Sequence, residues 1–577
     1  MDPPSGTGRR PGRRAPLVIL TLLVALAMAL GAGAARAPAV PPPGMNTLFF
    51  SPSRSGGCSD GQVSALGEAS APPGQSPTSP TVVTPWNAGL SLLNSPGGPF
   101  WTLDGAYASG MAATSWNYSF GYPWQDEPEL ALLGGTVPGW STVVYFTSSC
   151  GSPQNLENYI LAQCYQANGS GPLGGCLAGA DKMRCDACPG PQAKFAWGAF
   201  TTAGNGASWL VGAGLAFDTI HNTLYFTTAP NGCTGEKTCT VSVWSSPAAT
   251  MYGEQLSPTL VTTLPGISSP LYMAVDPIGQ TLYLTGPPGA EVISVPTSGG
   301  QASTVLSGSQ WISGSTVVGM AFDPSTGLLY VMSPQTGYEM NQITQVPVGG
   351  GSPSIVFTNT VLQNAMGGGE VSGLTVDPAN AFVAWGLVPH GPGNTGSIMW
   401  GPLDATPSGG PSSLTYGWAG SNDGVAAYIW ALAIAGGVGT CQYEGTTFPC
   451  PTTTVGASGV TTREAADGTV AIPIRAYQAG VNGPAPPAQA SEHGGVAAAP
   501  VRGPMVVAFR DRRSGRTLAT VRPGFTVRVN AQGVRRVEVP AAAREALRSG
   551  HLEVRVRTRN AGTSQGWRTR TLTVRPR

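Results

Sequence analysis

The chain has 577 residues, a formal net charge of +1, 10% charged residues, and 81 glycines with 53 prolines. That length supports more than one domain and a large buried core. Low charge with abundant Gly and Pro is also a composition of disordered chains, but regular phrases carrying Tyr, Trp and Val exclude disorder for the middle of the sequence.

The first element is a targeting segment. Arg9, Arg10, Arg13 and Arg14 form a basic start, Leu17 to Leu30 is an apolar or neutral run, and Gly31 to Ala37 is rich in small residues. This is the pattern of a secretory signal over residues 1–37. The alternative is an uncleaved anchor, because Leu17 to Ala35 approaches the length that crosses a bilayer. The expected location is extracellular, or membrane-anchored with the rest of the chain outside the cytosol. No second spanning segment is evident.

From residue 44 a phrase repeats. Gly214-Leu215-Ala216-Phe217-Asp218 leads to Thr223-Leu224-Tyr225-Phe226-Thr227. Met273-Ala274-Val275-Asp276-Pro277 leads to Thr281-Leu282-Tyr283-Leu284-Thr285, and Gly319-Met320-Ala321-Phe322-Asp323-Pro324 to Leu328-Leu329-Tyr330-Val331. Gly373-Leu374-Thr375-Val376-Asp377-Pro378 leads to Phe382-Val383-Ala384-Trp385. Each copy predicts an apolar strand, a turn and a second apolar strand. The aspartates recur after 58, 47 and 54 residues, close to the period of a four-stranded propeller blade. Pro presets one turn dihedral, and Gly or Asn accepts a positive one. Asn46 to Ser51, Phe100 to Leu103, Val143 to Thr147 and Ala426 to Trp430 read as fainter copies. The expectation is an all-β chain with a six- to eight-bladed β-propeller over 44–455, best guess seven. Its first and last strands should pair to close the ring.

The phrases Met273 to Thr285 and Met320 to Val331 resemble the NHL, YWTD and YVTN group of β-propellers. The resemblance implies the fold and leaves the activity open, because that fold hosts many functions. Among enzymes, gluconolactonase-type propellers are similar, and they carry an Asn-Gly-Leu-Ala phrase whose Asn binds a divalent metal. Here Ala213-Gly214-Leu215-Ala216 stands at the best match, and Leu224 to Thr228 lacks the Asp that follows the Leu-Tyr strand in that family. Both implied functional positions are missing.

Ten cysteines, all between Cys58 and Cys450, suit an oxidising compartment. Cys233 with Cys239, and Cys441 with Cys450, are close enough to staple loops; spacing leaves the pairing of the other six open. Asn117 and Asn168 begin N-glycosylation sequons.

Residues 456–502, rich in Ala, Gly, Pro and Thr, read as a linker, although a strand pair near Val470 to Ala476 could belong to a folded unit. Residues 503–577 read as a small β-sandwich resembling immunoglobulin or fibronectin-III domains. Leu552, Val554 and Val556 alternate with Glu553, Arg555, Arg557 and Arg559, the mark of a half-buried strand. Charge divides the chain. Residues 501–577 carry 18 arginines against four acids, and residues 41–500 carry 24 acids against seven basic residues. Arg555, Arg557 and Arg559, with Arg528 and Arg568 beside them, form a candidate surface for an acidic partner. The alternatives are a merely solvated face or a contact with the acidic propeller.

Chemistry leaves little trace. His221, His390, His493 and His551 lack metal-ligand spacing, and no HExxH, GxSxG or phosphate-binding loop occurs. Cys185-Asp186-Ala187-Cys188 has redox spacing but sits in a cysteine-rich loop. Asp218, Asp276, Asp323 and Asp377 recur in every clear copy, so a turn-capping role is expected rather than a calcium ring. No catalytic residue or cofactor is predicted; a divalent metal in the funnel stays open. The expected function is a non-enzymatic extracellular binding protein whose partner is a protein or an acidic glycan, not nucleic acid. The alternatives are a secreted hydrolase of the lactonase or strictosidine-synthase type, and a component of a cell wall or surface coat.

Overall fold

Each Asp-turn-Tyr phrase folds as the two innermost strands of an antiparallel sheet. A computed structural model describes residues 47–54, 64–67, 108–113, 117–119, 139–148, 160–167, 174–176, 208–230, 239–247, 258–267, 272–285, 291–307, 317, 319–335, 340–348, 353–357, 369–378, 381–389, 397–403, 412–415, 427–435, 438–443, 446–451, 453–478, 500–561 and 567–577.

The early strands are β1 (Thr47–Arg54), β2 (Ser64–Gly67), β3 (Ala108–Ala113), β4 (Asn117–Ser119), β5 (Gly139–Ser148), β6 (Ile160–Ala167) and β7 (Gly174–Cys176). Four regular sheets follow. The first holds β8 (Ser208–Asp218), β9 (Thr223–Pro230), β10 (Cys239–Pro247) and β11 (Thr259–Ile267). The second holds β12 (Met273–Asp276), β13 (Thr281–Thr285), β14 (Val292–Pro296) and β15 (Ser303–Leu306). The third holds β16 (Gly319–Asp323), β17 (Leu328–Gln335), β18 (Met340–Pro347) and β19 (Ser354–Phe357). The fourth holds β20 (Gly369–Asp377), β21 (Phe382–Pro389), β22 (Ser397–Pro402) and β23 (Ser412–Thr415). Then come β24 (Ala427–Ala435), β25 (Val438–Tyr443) and β26 (Thr446–Pro451).

β1 pairs β24 in antiparallel register, Thr47 opposite Ala435 and Phe50 opposite Leu432. The two ends of the propeller therefore build one sheet, β2-β1-β24, which closes the ring as expected. The inner strands neighbour one another in the cyclic order β24, β3, β8, β12, β16, β20 and back to β24. Six blade sheets lie among the described residues. The copies at 46–51 and 426–430 count as two in sequence and fall in the same sheet. The copy at 100–103 lies outside the described residues.

Packing follows from this ring. β12 and β16 are buried along their whole length, whereas the outermost β11, β15 and β19 are half exposed. An inner strand is covered on both faces by neighbouring blades, so its sequence is nearly all apolar instead of alternating. Each core cluster straddles two blades: Ala216 and Tyr225 pack with Met273 and Leu282, Tyr283 with Met320 and Leu329, and Tyr330 with Leu374 and Trp385. No blade could bury its faces alone.

The last domain begins earlier than the composition suggests. β27 (Thr453–Ala457), β28 (Thr461–Arg463) and β29 (Thr469–Gln478) precede β30 (Val501–Asp511), β31 (Thr517–Val521), β32 (Gly524–Val527), β33 (Ala531–Glu538), the short helix α1 (Arg544–Arg548), β34 (Leu552–Thr558) and β35 (Arg568–Arg575). One sheet is β27-β29-β33 and the other is β28-β35-β34-β30-β31, with β32 paired to the start of β30. Val455, Ile472 and Ile474 share a core with Phe509, Val554 and Leu572. Residues 453–478 are thus part of the sandwich, and the expected linker boundary at 456 is corrected. The composition misled because the two β27–β29 strands are themselves rich in Thr, Ala, Gly and Pro. Residues 479–499 lie outside the described residues.

Candidate functional site

The four repeated aspartates all lie on one end of the propeller, where the first inner strand of a blade turns into the second. All four are buried. Asp218 Oδ1 accepts the backbone N–H groups of Ile220 and His221, both at 2.9 Å. Asp276 Oδ1 accepts those of Ile278 and Gly279 at 3.0 and 2.9 Å. Asp323 accepts the Ser325 N–H at 2.9 Å and the hydroxyls of Ser325 and Thr326 at 2.6 and 2.7 Å. Asp218, Asp276 and Asp323 thus cap their own turns, and at the fourth turn the Asp377 carbonyl accepts the Ala381 N–H at 2.9 Å. Four residues after each aspartate the backbone is left-handed, at Asn222, Gln280, Gly327 and Ala381. The positive dihedral expected of Gly or Asn is taken by Gln and Ala in two copies. There the geometry is imposed by the hairpin; local preference does not choose it.

This end of the propeller is covered by the sandwich. On β29 the residues Val470, Ile472, Ile474 and Ala476 point into the sandwich core, so Arg475 and Tyr477 point away from it. They meet the aspartate turns. Arg475 Nη2 donates to both carboxylate oxygens of Asp276, at 2.7 and 2.8 Å, and both residues are 3% exposed. The Arg475 guanidinium also lies 5.6 Å from the Phe322 ring centre, and Phe322 stacks on Tyr283 at 5.5 Å. The Tyr477 hydroxyl and Thr219 Oγ1 are hydrogen-bonded at 2.6 Å. Burial pushes the Tyr477 phenol well above its ordinary range; the Thr219 bond opposes this, and Asp218, Asp323 and Asp377 add to it.

One further contact, from Arg570 to Gln345, widens the seam. Arg570 on β35 donates from Nε to the Gly459 carbonyl and from Nη1 to Gln345 Oε1, both at 2.9 Å. Burial holds its pKa below the usual arginine range, against the pull of Tyr330 and Asp323. Glycines allow the backbones to approach. A Cβ on Gly327, at φ +68°, would come within 2.6 Å of Arg475 Nη1, and one on Gly456 within 2.7 Å of the Ser325 carbonyl.

The arginines singled out by sequence separate into three places. Arg555 and Arg557 are exposed on the outer face of β34, and Arg559 is exposed just beyond its end. Arg528 is exposed just beyond β32, on a different strand pairing. Arg568 is buried, because its parity on β35 is that of Leu572 and Val574. It is therefore not part of an exposed basic row, a correction to the sequence expectation. Its Nε and Nη2 have no hydrogen-bond partner among the described residues.

His221 shares the turn of Asp218, with Nδ1 2.9 Å from Asp218 Oδ2, and Gln280 of the next blade donates to the same oxygen at 3.1 Å. His551 is at the start of β34, and the other two histidines lie outside the described residues. Cys239, at the start of β10, is disulfide-bonded; Cys233 lies outside the described residues. Cys441 and Cys450 sit on the paired strands β25 and β26, Cys450 opposite Gly439. Asn117 opens β4, whereas Asn168, Cys185, Cys188 and the N-terminal apolar run lie outside the described residues. No described helix is long and apolar enough to cross a membrane.

The signal for the docking seam was present but small. Arg475 and Tyr477 stand two apart on the outward face of a strand whose other outward residues are Thr469, Ala471 and Pro473.

No protein-family model and no curated protein matches the chain. Solved structures with similar shape include a chain of a nidogen–laminin complex, at 16% identity over 40% of this chain and 86% of that one, TM-score 0.24. TolB from Acinetobacter baumannii is similar at 11% identity over 74% of each chain, TM-score 0.34. The PQQ-bound aldose sugar dehydrogenase from Streptomyces coelicolor is similar at 12% identity over 56% of this chain and 86% of that one, TM-score 0.28.

Proposed function

We propose that the chain is a non-enzymatic extracellular or cell-surface binding protein whose ligand meets the propeller end opposite the aspartate turns. The observation that carries this reading is the buried Arg475–Asp276 contact, which makes the aspartate-turn end an internal interface between propeller and sandwich. In an antiparallel blade, the connections between second and third strands, and those from blade to blade, leave from the other end. At that end β5 and β7 finish and β6 and β8 begin, and in sequence the segments between them contain Cys150, Cys185 and Cys188. Loops that differ between blades on a rigid scaffold are where a propeller places specificity. Secretion, the NHL- or YWTD-like family and the disulfide framework belong to the same proposal.

The test is a binding screen of the full chain on arrays of matrix proteins and glycans. Hydrogen exchange on the best ligand should show protection in residues 149–159, 177–207 or 231–238. Metal-dependent turnover of a lactone, or a ligand footprint on the aspartate turns, would overturn the proposal.

A further inference from the structure

On the outer face of the sheet β28-β35-β34-β30-β31 a file of exposed arginines follows β34, and Arg575 and Arg463 are exposed toward its Glu553 end. Arg555 and Arg557 are exposed on alternate positions of β34 and Arg559 just past its end; along a strand, alternate positions are about 7 Å apart. None has an ion pair among the described residues. At one end the file is bounded by Glu553, already paired with Arg510 at 3.2 Å. Its flanks are low: Thr571 and Thr569 of β35 oppose Arg555 and Arg557 on one side, and Ala508 and Val506 of β30 oppose them on the other. Trp567 supports the far end, with the guanidinium carbons of Arg557 and Arg559 at 5.1 and 5.4 Å from its ring centre. A guanidinium held over an indole loses less freedom when it forms a bidentate bond to an oxyanion.

We infer that this strip binds a linear polyanionic glycan, a chain of sugars bearing sulfate or carboxylate groups at regular intervals. The inference rests on the binding role proposed above but concerns a different surface. A row one strand wide, walled by short side chains, matches a line of anions. A bilayer presents a plane, and Glu553 on the same face opposes it. The threonine hydroxyls and the indole edge supply contacts suited to sugar hydroxyls and ring faces.

The test uses the full chain on immobilised heparin at 0.15 M NaCl. Changing Arg555, Arg557 and Arg559 together to Ser should weaken binding at least tenfold. Changing the exposed Arg512, Arg513 and Arg516 of the β30–β31 turn to Ser removes the same charge elsewhere and should weaken it less than threefold. Trp567→Leu, which keeps every charge, should weaken it about threefold. Equal losses in the two triple variants would overturn the inference, because net charge would then explain retention. Equally tight binding of polyglutamate or of phosphatidylserine vesicles through the same three arginines would also overturn it, in favour of an acidic peptide or a membrane. The open-end footprint is unaffected by these variants, so the two proposals fail separately.

Discussion

Replacing Arg475 by Ala should uncouple the sandwich from the propeller. Breaking a buried pair by removing one partner typically costs about 3–5 kcal/mol, because the remaining charge stays desolvated. Two observations put this case at the low end. Asp276 keeps the N–H groups of Ile278 and Gly279, and Arg475 Nε is buried without a partner among the described residues, so the pair is not ideal. Loss of the contact with the Phe322 ring adds up to about 1 kcal/mol. The expected loss is roughly 3 kcal/mol, about a hundredfold in the docking equilibrium. A chain of two domains need not unfold in one step, so the readout is a double-mutant cycle. Arg475→Ala, Asp276→Asn and the double variant are compared by urea titration of tryptophan fluorescence. A coupling of at least about 2 kcal/mol is expected for residues in direct contact. A single-variant loss below about 1 kcal/mol, or strictly additive losses, would refute the reasoning.

Arg568→Met should leave stability unchanged or raise it, since a buried guanidinium with two unpartnered nitrogens is replaced by an apolar chain of similar length; a clear drop in thermal midpoint contradicts this. Gly327→Ala should cost about 1–2 kcal/mol from the left-handed backbone alone, with an added loss that shrinks in the Arg475→Ala background; equal losses in both backgrounds would separate Gly327 from the seam. Burial raises the phenols of Tyr225, Tyr283 and Tyr477 and pushes Tyr272 up to about 12. A raised phenol pKa contributes stability that is complete below the unfolded value near 10 and declines as pH climbs toward the folded value. Stability should therefore fall above pH 10, and absorbance at 295 nm should show these tyrosines ionising only as the chain unfolds; early ionisation without unfolding would contradict it.

Local features were the legible part of the sequence. The Leu-Tyr strands and the aspartate turns could be read because each is held by contacts within a few residues, as Asp276 with Ile278 and Gly279 shows. Their equivalence pointed to capping, and Asp218, Asp276 and Asp323 make the bonds of a cap. That the first and last copies share one sheet was not legible in their own residues, because β1 and β24 lie almost 400 residues apart and only their pairing reveals it. Arg568 was misplaced because the alternation of β34 was extended to its neighbour without knowing the pairing parity of β35. The docking seam escaped because it depends on contacts such as Arg475 to Asp276, separated by 199 positions. Nothing local to Arg475 names its partner.

The central claim is that the aspartate-turn end is an interior surface. Hydrogen exchange of the ligand-free full chain tests it most directly, comparing peptides that span residues 218–222, 276–280 and 323–327 in the wild type and in Arg475→Ala. The account predicts slow exchange in the wild type, with at least tenfold faster exchange at 276–280 and 323–327 in the variant. Exchange of the wild-type turns at the rate of open surface loops, unchanged by the substitution, would contradict it.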